Sequence, residues 1–248
     1  MAVNYFRDMR LLKALLIGYF VFFNCDTSDA QGHSLGTWNL VNIKWQFADK
    51  WSIVSEAQLR SYRFYDHLYY YEYKTGIQYN VDKNFSVLLG IGNYDTYSPG
   101  GNFKTPMTND ETRVWEQVTM NQNLSRIKFE HRFRAEQRFT YSGYRNRFRY
   151  RLGLIIPINK KTIEDKALFT YAYNELFFTD KAPYFERNRL SAGAGYKFNK
   201  SFTLQAGFLN QFDYKINSEL SQNYLQLSLL FDIRWKLNVH DHPRGALD

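Results

Sequence analysis

The feature that most constrains this chain is an alternation of apolar and polar residues that is sustained over unusually long runs. Between Ile127 and Phe139 the odd-numbered positions are mainly Ile, Phe and Ala, and the even-numbered positions are Lys, Glu and Arg. Successive side chains of a β-strand point to opposite faces, so this run predicts a strand with one apolar and one charged face.

About eleven such runs, each followed by a turn, make up most of the chain. They cover residues 36–47, 51–64, 70–80, 84–96, 112–123, 126–140, 145–158, 167–178, 187–198, 201–215 and 222–235. Strands of soluble proteins average about five to six residues, and these runs are about twice as long. The sequence therefore predicts an all-β fold, an antiparallel transmembrane β-barrel. A soluble sandwich or a lipocalin-like barrel is the alternative.

The first thirty residues have a different character and predict a cleaved signal peptide. Arg7, Arg10 and Lys13 precede an apolar run at residues 14–23, and small residues precede a predicted cleavage site after Ala30. A membrane-anchoring helix and a lipoprotein centred on Cys25 are the alternatives. The predicted organisation is a signal peptide over 1–30, a barrel over 31–236 and a flexible periplasmic tail over 237–248.

Composition agrees with a barrel in the outer membrane of a Gram-negative bacterium. Mean hydropathy is −0.52, yet aromatic residues reach 19%. A transmembrane barrel combines these values, because its strands alternate lipid-facing and lumen-facing residues between two aromatic girdles. The net charge of +8 points to anionic lipid headgroups. We expect outer-membrane lipids and, during biogenesis, the barrel-assembly machinery as partners, and no nucleic acid, cofactor or metal.

Strand number and orientation follow from general rules for such barrels. Single-chain bacterial barrels have even numbers of strands, which predicts ten or twelve, with twelve preferred. Short turns are periplasmic and long loops extracellular, so residues 97–111 are predicted to lie outside. This scheme starts the first run at the outer face, which is unexpected and would require an additional strand or a segment rising through the lumen.

Several segments resemble a family of exported bacterial barrels of unknown function. The resemblance is carried by residues 129–139 (FEHRFRAEQRF), 145–152 (RNRFRYRL) with Ile156-Pro157, 51–60 (WSIVSEAQLR) and 111–117 (ETRVWEQ). It extends over nearly the whole mature chain and implies the fold and the outer-membrane location. The resemblance implies no activity.

A ladder of arginine and glutamate is the strongest local feature. Strand parity directs these side chains into the lumen, and Glu56 and Glu72 are expected to face them: Glu130, Arg132, Arg134, Glu136, Arg138, Arg147, Arg149, Arg151, Glu175 and Arg189. A stranded buried charge costs several kcal/mol, so one interpretation is an ion-pair network that fills and stiffens the lumen. The other is a basic lining that passes or binds anions.

The predicted function is a non-enzymatic outer-membrane barrel, either an envelope structural protein or a narrow channel. The alternative is a surface hydrolase acting on lipid or peptide. For lipid, the candidate pair is His131 with Ser142, although Phe129 and Phe133 flank the histidine along its strand. For peptide, the dipeptide at 66–67 (DH) would need Asp95 and Asp110.

Three further groups receive structural interpretations. Tyr65, Tyr69, Tyr70 and Tyr71 are predicted to face outward at one outer loop, and Trp45, Phe47 and Trp51 to flank a periplasmic turn, as girdle residues. A carbohydrate- or peptide-binding platform is the alternative for the tyrosines. The tail residues His240, Asp241 and His242 could bind a metal, but the tail holds no third ligand in an ordered frame and is interpreted as a flexible periplasmic end. Glycines at 90, 92, 193 and 195 predict close approach of neighbouring groups.

Overall fold

The computed structural model describes residues 35–98, 100, 102–104, 106–216 and 218–234. The described residues form eleven β-strands that close into one barrel. The strands are β1 (Gly36–Gln46), β2 (Trp51–Arg63), β3 (Asp66–Asn80), β4 (Phe85–Tyr97), β5 (Met107–Leu124), β6 (Ile127–Thr140), β7 (Gly143–Pro157), β8 (Ala167–Thr179), β9 (Phe185–Asn199), β10 (Phe202–Lys215) and β11 (Ser218–Arg234). The all-β barrel prediction is confirmed. The predicted signal peptide and tail lie outside the described residues.

The barrel closes through its first and last strands, and this pair is parallel. β1 runs beside β11 from Gly36, opposite Tyr224, to Gln46, opposite Arg234. All other neighbouring pairs are antiparallel and consecutive in sequence. The expectation of an even number, and of twelve, is wrong, because a parallel closing pair removes the parity requirement. The eleven runs marked in the sequence correspond to the eleven strands.

An odd number of strands places the two ends of the wall at opposite rims of the barrel. The N-terminal rim carries the start of β1 and the connections 64–65, 98–106, 141–142, 180–184 and 216–217. The C-terminal rim carries the end of β11 and the connections 47–50, 81–84, 125–126, 158–166 and 200–201. The odd number of strands explains why β1 starts at the same rim as the 98–106 loop. Neither an additional strand nor a segment that passes through the lumen is needed.

The connections at the two rims are less unequal than the sequence predicted. β5 begins at Met107, which shortens the predicted 97–111 loop to 98–106, and the connection 158–166 at the opposite rim is equally long. Arg126 holds that segment by donating to the carbonyl oxygen of Lys160 at 2.6 Å. At the N-terminal rim, the Asn146 side chain donates to Asp180 at 2.8 Å and holds the pKa of that carboxyl below its usual range.

Burial is inverted relative to a soluble domain. Charged side chains such as Glu136 (1% exposed) and Arg147 (3%) lie inside the wall, whereas Leu89 (59%) and Leu190 (55%) lie outside it. This division follows the alternation in each strand, with the charged parity inward. The interior of the barrel therefore combines charged and polar side chains with aromatic rings, and its outer surface is largely apolar.

A β-bulge breaks this alternation between β2 and β3. Arg60 pairs with Tyr70, but Ser61 pairs with Leu68, so Tyr69 is an extra residue. Tyr69 and Tyr70 are consecutive, and each is only 7% exposed. The Tyr69 hydroxyl shares a 2.7 Å hydrogen bond with the hydroxyl of Tyr224 on β11, three strands away. The prediction that these two tyrosines face outward is wrong, because a bulge turns an extra side chain inward.

Glycines in the half of the wall nearer the C-terminal rim make room for interior aromatic rings. A Cβ atom on Gly90 would lie 2.3 Å from Cζ2 of Trp115, and one on Gly195 would lie 2.3 Å from Cζ of Phe169. Both rings are 2% exposed. These glycines therefore let bulky rings fill the lumen toward the C-terminal rim.

Candidate functional site

The most distinctive interior feature is a connected network of charged side chains, here termed the belt. The belt consists of four glutamates and eight arginines from strands β5 to β9: Glu111, Glu136, Glu175, Glu186, Arg113, Arg132, Arg134, Arg138, Arg145, Arg147, Arg149 and Arg189. Each glutamate contacts at least two arginines, and several arginines join two glutamates.

Glu136 lies at the centre of the belt. Its carboxylate is 2.5 Å from Arg149, 3.5 Å from Arg134, 3.7 Å from Arg147 and 3.8 Å from Arg113, and its side chain is fully buried. Alternation in β6 points this side chain inward, and the neighbouring β5 and β7 bring arginines of the same face beside it. One carboxylate thus serves four guanidinium groups.

Glu175, on β8, extends the belt to β9. Arg132 donates to it at 2.6 Å and Arg149 at 2.8 Å, and a nitrogen of Arg189 lies 3.8 Å away. Arg132 belongs to β6 and Glu175 to β8, so this ion pair passes across the intervening strand β7. The curvature of the barrel brings the two side chains together.

Two of the belt glutamates were not identified from the sequence. Glu111 accepts hydrogen bonds from Arg113 at 2.7 and 3.0 Å and also binds Arg138. It was assigned to the 97–111 loop, but it lies within β5. A longer extrapolation of strand parity, counted back from Arg113, would have found it.

Glu186 is the other glutamate that the sequence did not reveal. Arg147 donates to it at 2.5 Å, Arg145 at 3.1 Å and Arg138 at 3.3 Å. Phe177 pairs with Arg187 and Phe178 with Phe185, so Glu186 is the extra residue of a bulge between β8 and β9. Parity places this side chain outward, and no sequence signal marks the bulge.

Three smaller groups of ion pairs surround the belt. Arg60 and Lys74 pair with Glu72 and Glu56, Arg151 pairs with Glu130 at 2.5 Å, and Arg187 pairs with Asp213. Each group contains equal numbers of basic and acidic side chains. These pairs bring together the remaining ladder residues, including the two glutamates expected to face the arginines.

Aromatic rings support the guanidinium groups. Arg113 lies 3.7 Å above the ring of Tyr94, and Arg149 lies 4.5 Å from the ring centroid of Phe177. Arg189 is 4.7 Å from both Trp38 and Phe177. Such cation–π contacts favour a desolvated cation and hold the plane of the guanidinium. The arginines are therefore fixed in orientation as well as paired.

The described interior contains two cavities, one toward each rim. The N-terminal cavity, of about 760 Å³, is lined by Arg145, Glu186 and Lys215 among others. The C-terminal cavity, of about 480 Å³, is lined by Lys44, Gln117 and Trp115 among others. Among the described residues, Lys74 alone contributes to both linings. Glu136 and Glu175 line neither cavity, but their arginine partners line one cavity or the other, so the centre of the belt lies between the two cavities.

The comparison with known families bears on the whole barrel. A family model described as a protein of unknown function, DUF2490, matches residues 35–223. The chain belongs to the DUF2490 family. Neither a curated protein nor a solved structure matches the DUF2490 chain.

Alternative sites on the DUF2490 barrel are placed as follows. His131 lies on the outer face, and its Nδ1 is 2.9 Å from the hydroxyl of Tyr150 on the next strand. The Ser142 hydroxyl instead bonds Thr140 at 3.0 Å. The lipid-active pair is thus not assembled among the described residues. The hydroxyl near His131 comes from a neighbouring strand, which inspection along a single strand could not reveal.

The residues of the predicted acidic constellation form two pairs. Asp66 and His67 begin β3, rather than lying in a loop, and pair with each other at 2.6 Å. Asp95 and Asp110 are direct cross-strand partners on β4 and β5, and the amide of Asn93 lies 3.4 and 3.5 Å from their carboxylates. The described part of the DUF2490 chain contains no cluster of three metal-ligating side chains. Within that part, no helix is long and apolar enough to span a membrane.

Proposed function

We propose that this chain is an integral barrel of the bacterial outer membrane whose role is structural rather than enzymatic. The observation that carries this proposal is the inverted polarity of the wall. Large apolar side chains such as Ile77, Phe133 and Phe208, each about half exposed, cover the outside, while the belt occupies the inside. Exposed apolar surface on this scale is unfavourable in water and is matched by the hydrocarbon core of a bilayer.

Aromatic side chains at the two rims support a membrane location. Trp45 and Trp51 are exposed near the C-terminal rim, and Tyr65, Tyr141 and Tyr184 near the N-terminal rim. Such residues favour the level of the lipid headgroups. We place the N-terminal rim outside the cell and the C-terminal rim in the periplasm, with cleavage of the signal peptide after Ala30.

The interior favours a closed barrel over a channel. The belt and the ring of Trp115 separate the two cavities. Because the belt carboxylates are shared between arginines, the side chains of these ion pairs have little freedom to move aside. An envelope structural protein with a sealed lumen is therefore our proposal. His131 supports the non-enzymatic role, because it hydrogen-bonds a tyrosine rather than a serine hydroxyl.

The membrane proposal is tested by electrophoresis and flotation. Protein refolded in detergent should migrate at a different apparent mass before and after boiling, and it should float with lipid vesicles on a density gradient. Recovery of the folded chain in a detergent-free soluble fraction would contradict a membrane location.

Two functional assays test the sealed and non-enzymatic roles. In planar bilayers the inserted barrel should give no stable conductance steps, and a persistent anion-selective current would replace the sealed barrel with a channel. Incubation with outer-membrane lipids should release no fatty acid. Release that is lost in a His131→Ala variant would support the hydrolase instead.

A further inference from the structure

The belt contains an imbalance of charge that the surrounding groups do not share. Its eight arginines face four glutamates, an excess of four positive charges. The satellite groups around Glu72, Glu130 and Asp213 are each balanced. The excess is therefore local to the belt. Positive charges removed from water require neutralisation, so this network is short of anionic partners.

The N-terminal cavity lies beside the belt, and its lining adds further positive charge. Its lining has eleven basic side chains and only four carboxylates. Lys181 and Lys215 line it near the rim. Among the described residues neither forms an ion pair, and Lys181 donates a 3.3 Å hydrogen bond to the backbone carbonyl of Tyr144. Arg145 is the most exposed belt arginine, with 37% of its side chain accessible. The cavity therefore presents cations both on its floor and at its entrance.

The arrangement of the arginines indicates the chemistry of a ligand. Glu186 is shared by Arg138, Arg145 and Arg147, which leaves guanidinium N–H groups available for further acceptors. A guanidinium presents a planar fork of donors that matches carboxylate and phosphate oxygens. A cavity of about 760 Å³ is within the size range of small-molecule sites.

We propose that the N-terminal cavity binds a multivalent oxyanion, held between the belt arginines and the two rim lysines, Lys181 and Lys215. The anion would supply the negative charge that the belt lacks. This inference rests on the barrel interior and holds whether or not the barrel is in a membrane. The oxyanion is either a soluble phosphate compound or the phosphate group of a lipid headgroup, and both share the same recognition chemistry.

Isothermal titration of the folded barrel in a non-ionic detergent tests this proposal, with inorganic pyrophosphate as the probe. We expect saturable binding that weakens with salt, because dissolved ions screen the attraction between the anion and the cations of the cavity. A Lys181→Gln, Lys215→Gln double variant should bind at least tenfold more weakly. The matched double variant Lys161→Gln, Lys200→Gln, with the same charge change at the C-terminal rim, should bind within twofold of the parent.

A second variant adds charge to the cavity instead of removing it. The Gln211 side chain lines the cavity, accepts a 2.9 Å hydrogen bond from Arg189 and donates a 2.8 Å hydrogen bond to Asp213, so Gln211→Glu places a carboxylate against the excess and removes the donor to Asp213. It should also weaken pyrophosphate binding at least several-fold while the folded form is retained on unboiled gels. Equal binding to the parent and both cavity variants, or no preference for pyrophosphate over chloride, overturns the proposal.

A parallel titration with short-chain phosphatidic acid identifies the source of the anion. Tighter binding of the lipid than of pyrophosphate, with the same dependence on the rim lysines, assigns the site to a headgroup. Tighter binding of pyrophosphate assigns it to a soluble compound. Failure of both ligands to bind removes the site and leaves the membrane proposal to its own flotation test.

Discussion

Glu136→Gln is the substitution that most directly tests the role of the belt in the stability of the barrel. The change preserves the size of the side chain and removes one negative charge from among four arginines, of which Arg149 is at 2.5 Å and Arg134 at 3.5 Å. The excess of positive charge in the belt rises by one, next to four guanidinium groups whose side chains are at most 9% exposed.

The magnitude follows from the burial of the pair. Removing one partner of a buried ion pair typically costs about 3–5 kcal/mol, since the other partner is left uncompensated. We expect the free energy of unfolding to fall by about this amount. The measurement is equilibrium urea unfolding of the barrel in phospholipid vesicles, followed by tryptophan fluorescence, with the midpoint compared at constant slope.

Glu116→Gln is the matched control. Glu116 lies on the neighbouring strand β5 but faces outward, where the amide of Gln137 donates to it at 3.1 Å. If the outer surface faces lipid, as proposed, neutralising this carboxylate should cost nothing and favour the folded state slightly. If Glu136→Gln shifts the midpoint no more than Glu116→Gln does, the ion pairs of Glu136 do not stabilise the folded barrel.

Two further substitutions test the belt and the packing below it. Gln117→Glu should raise the free energy of unfolding by about 1 kcal/mol, because Arg134 already donates to the amide oxygen at 2.6 and 2.9 Å and a carboxylate strengthens both bonds. A lower free energy of unfolding would contradict the excess of positive charge. Gly90→Ala should lower the free energy of unfolding by about 1–3 kcal/mol, because its Cβ would lie 2.3 Å from an indole carbon of Trp115. Gly153→Ala, whose Cβ would be 3.7 Å from its nearest neighbour, is the control and should leave the midpoint unchanged or raised; equal losses at both sites would rule out the steric explanation.

The sequence by itself determined the class of fold and the face to which most side chains point. Both properties depend on a two-residue period within one strand, which is visible locally. The run at residues 126–140 therefore predicted strand β6 to within one residue at its N-terminal end, and it directed Arg134 and Glu136 inward. Eleven runs in the sequence became eleven strands for the same reason.

Tertiary structure alone decided how the barrel closes and how the charges pair. The closing contact joins Gly36 to Tyr224, residues that no local pattern connects, and its parallel direction made an odd number of strands possible. Bulges turned Tyr69 and Glu186 inward, because one inserted residue reverses parity without a mark in the sequence. The pair of Arg132 with Glu175 depends on the curvature of the wall across the intervening strand. The sharing of each belt glutamate by several arginines also depends on this curvature. Local alternation thus sets the inward charges, and the closed three-dimensional wall sets their partners.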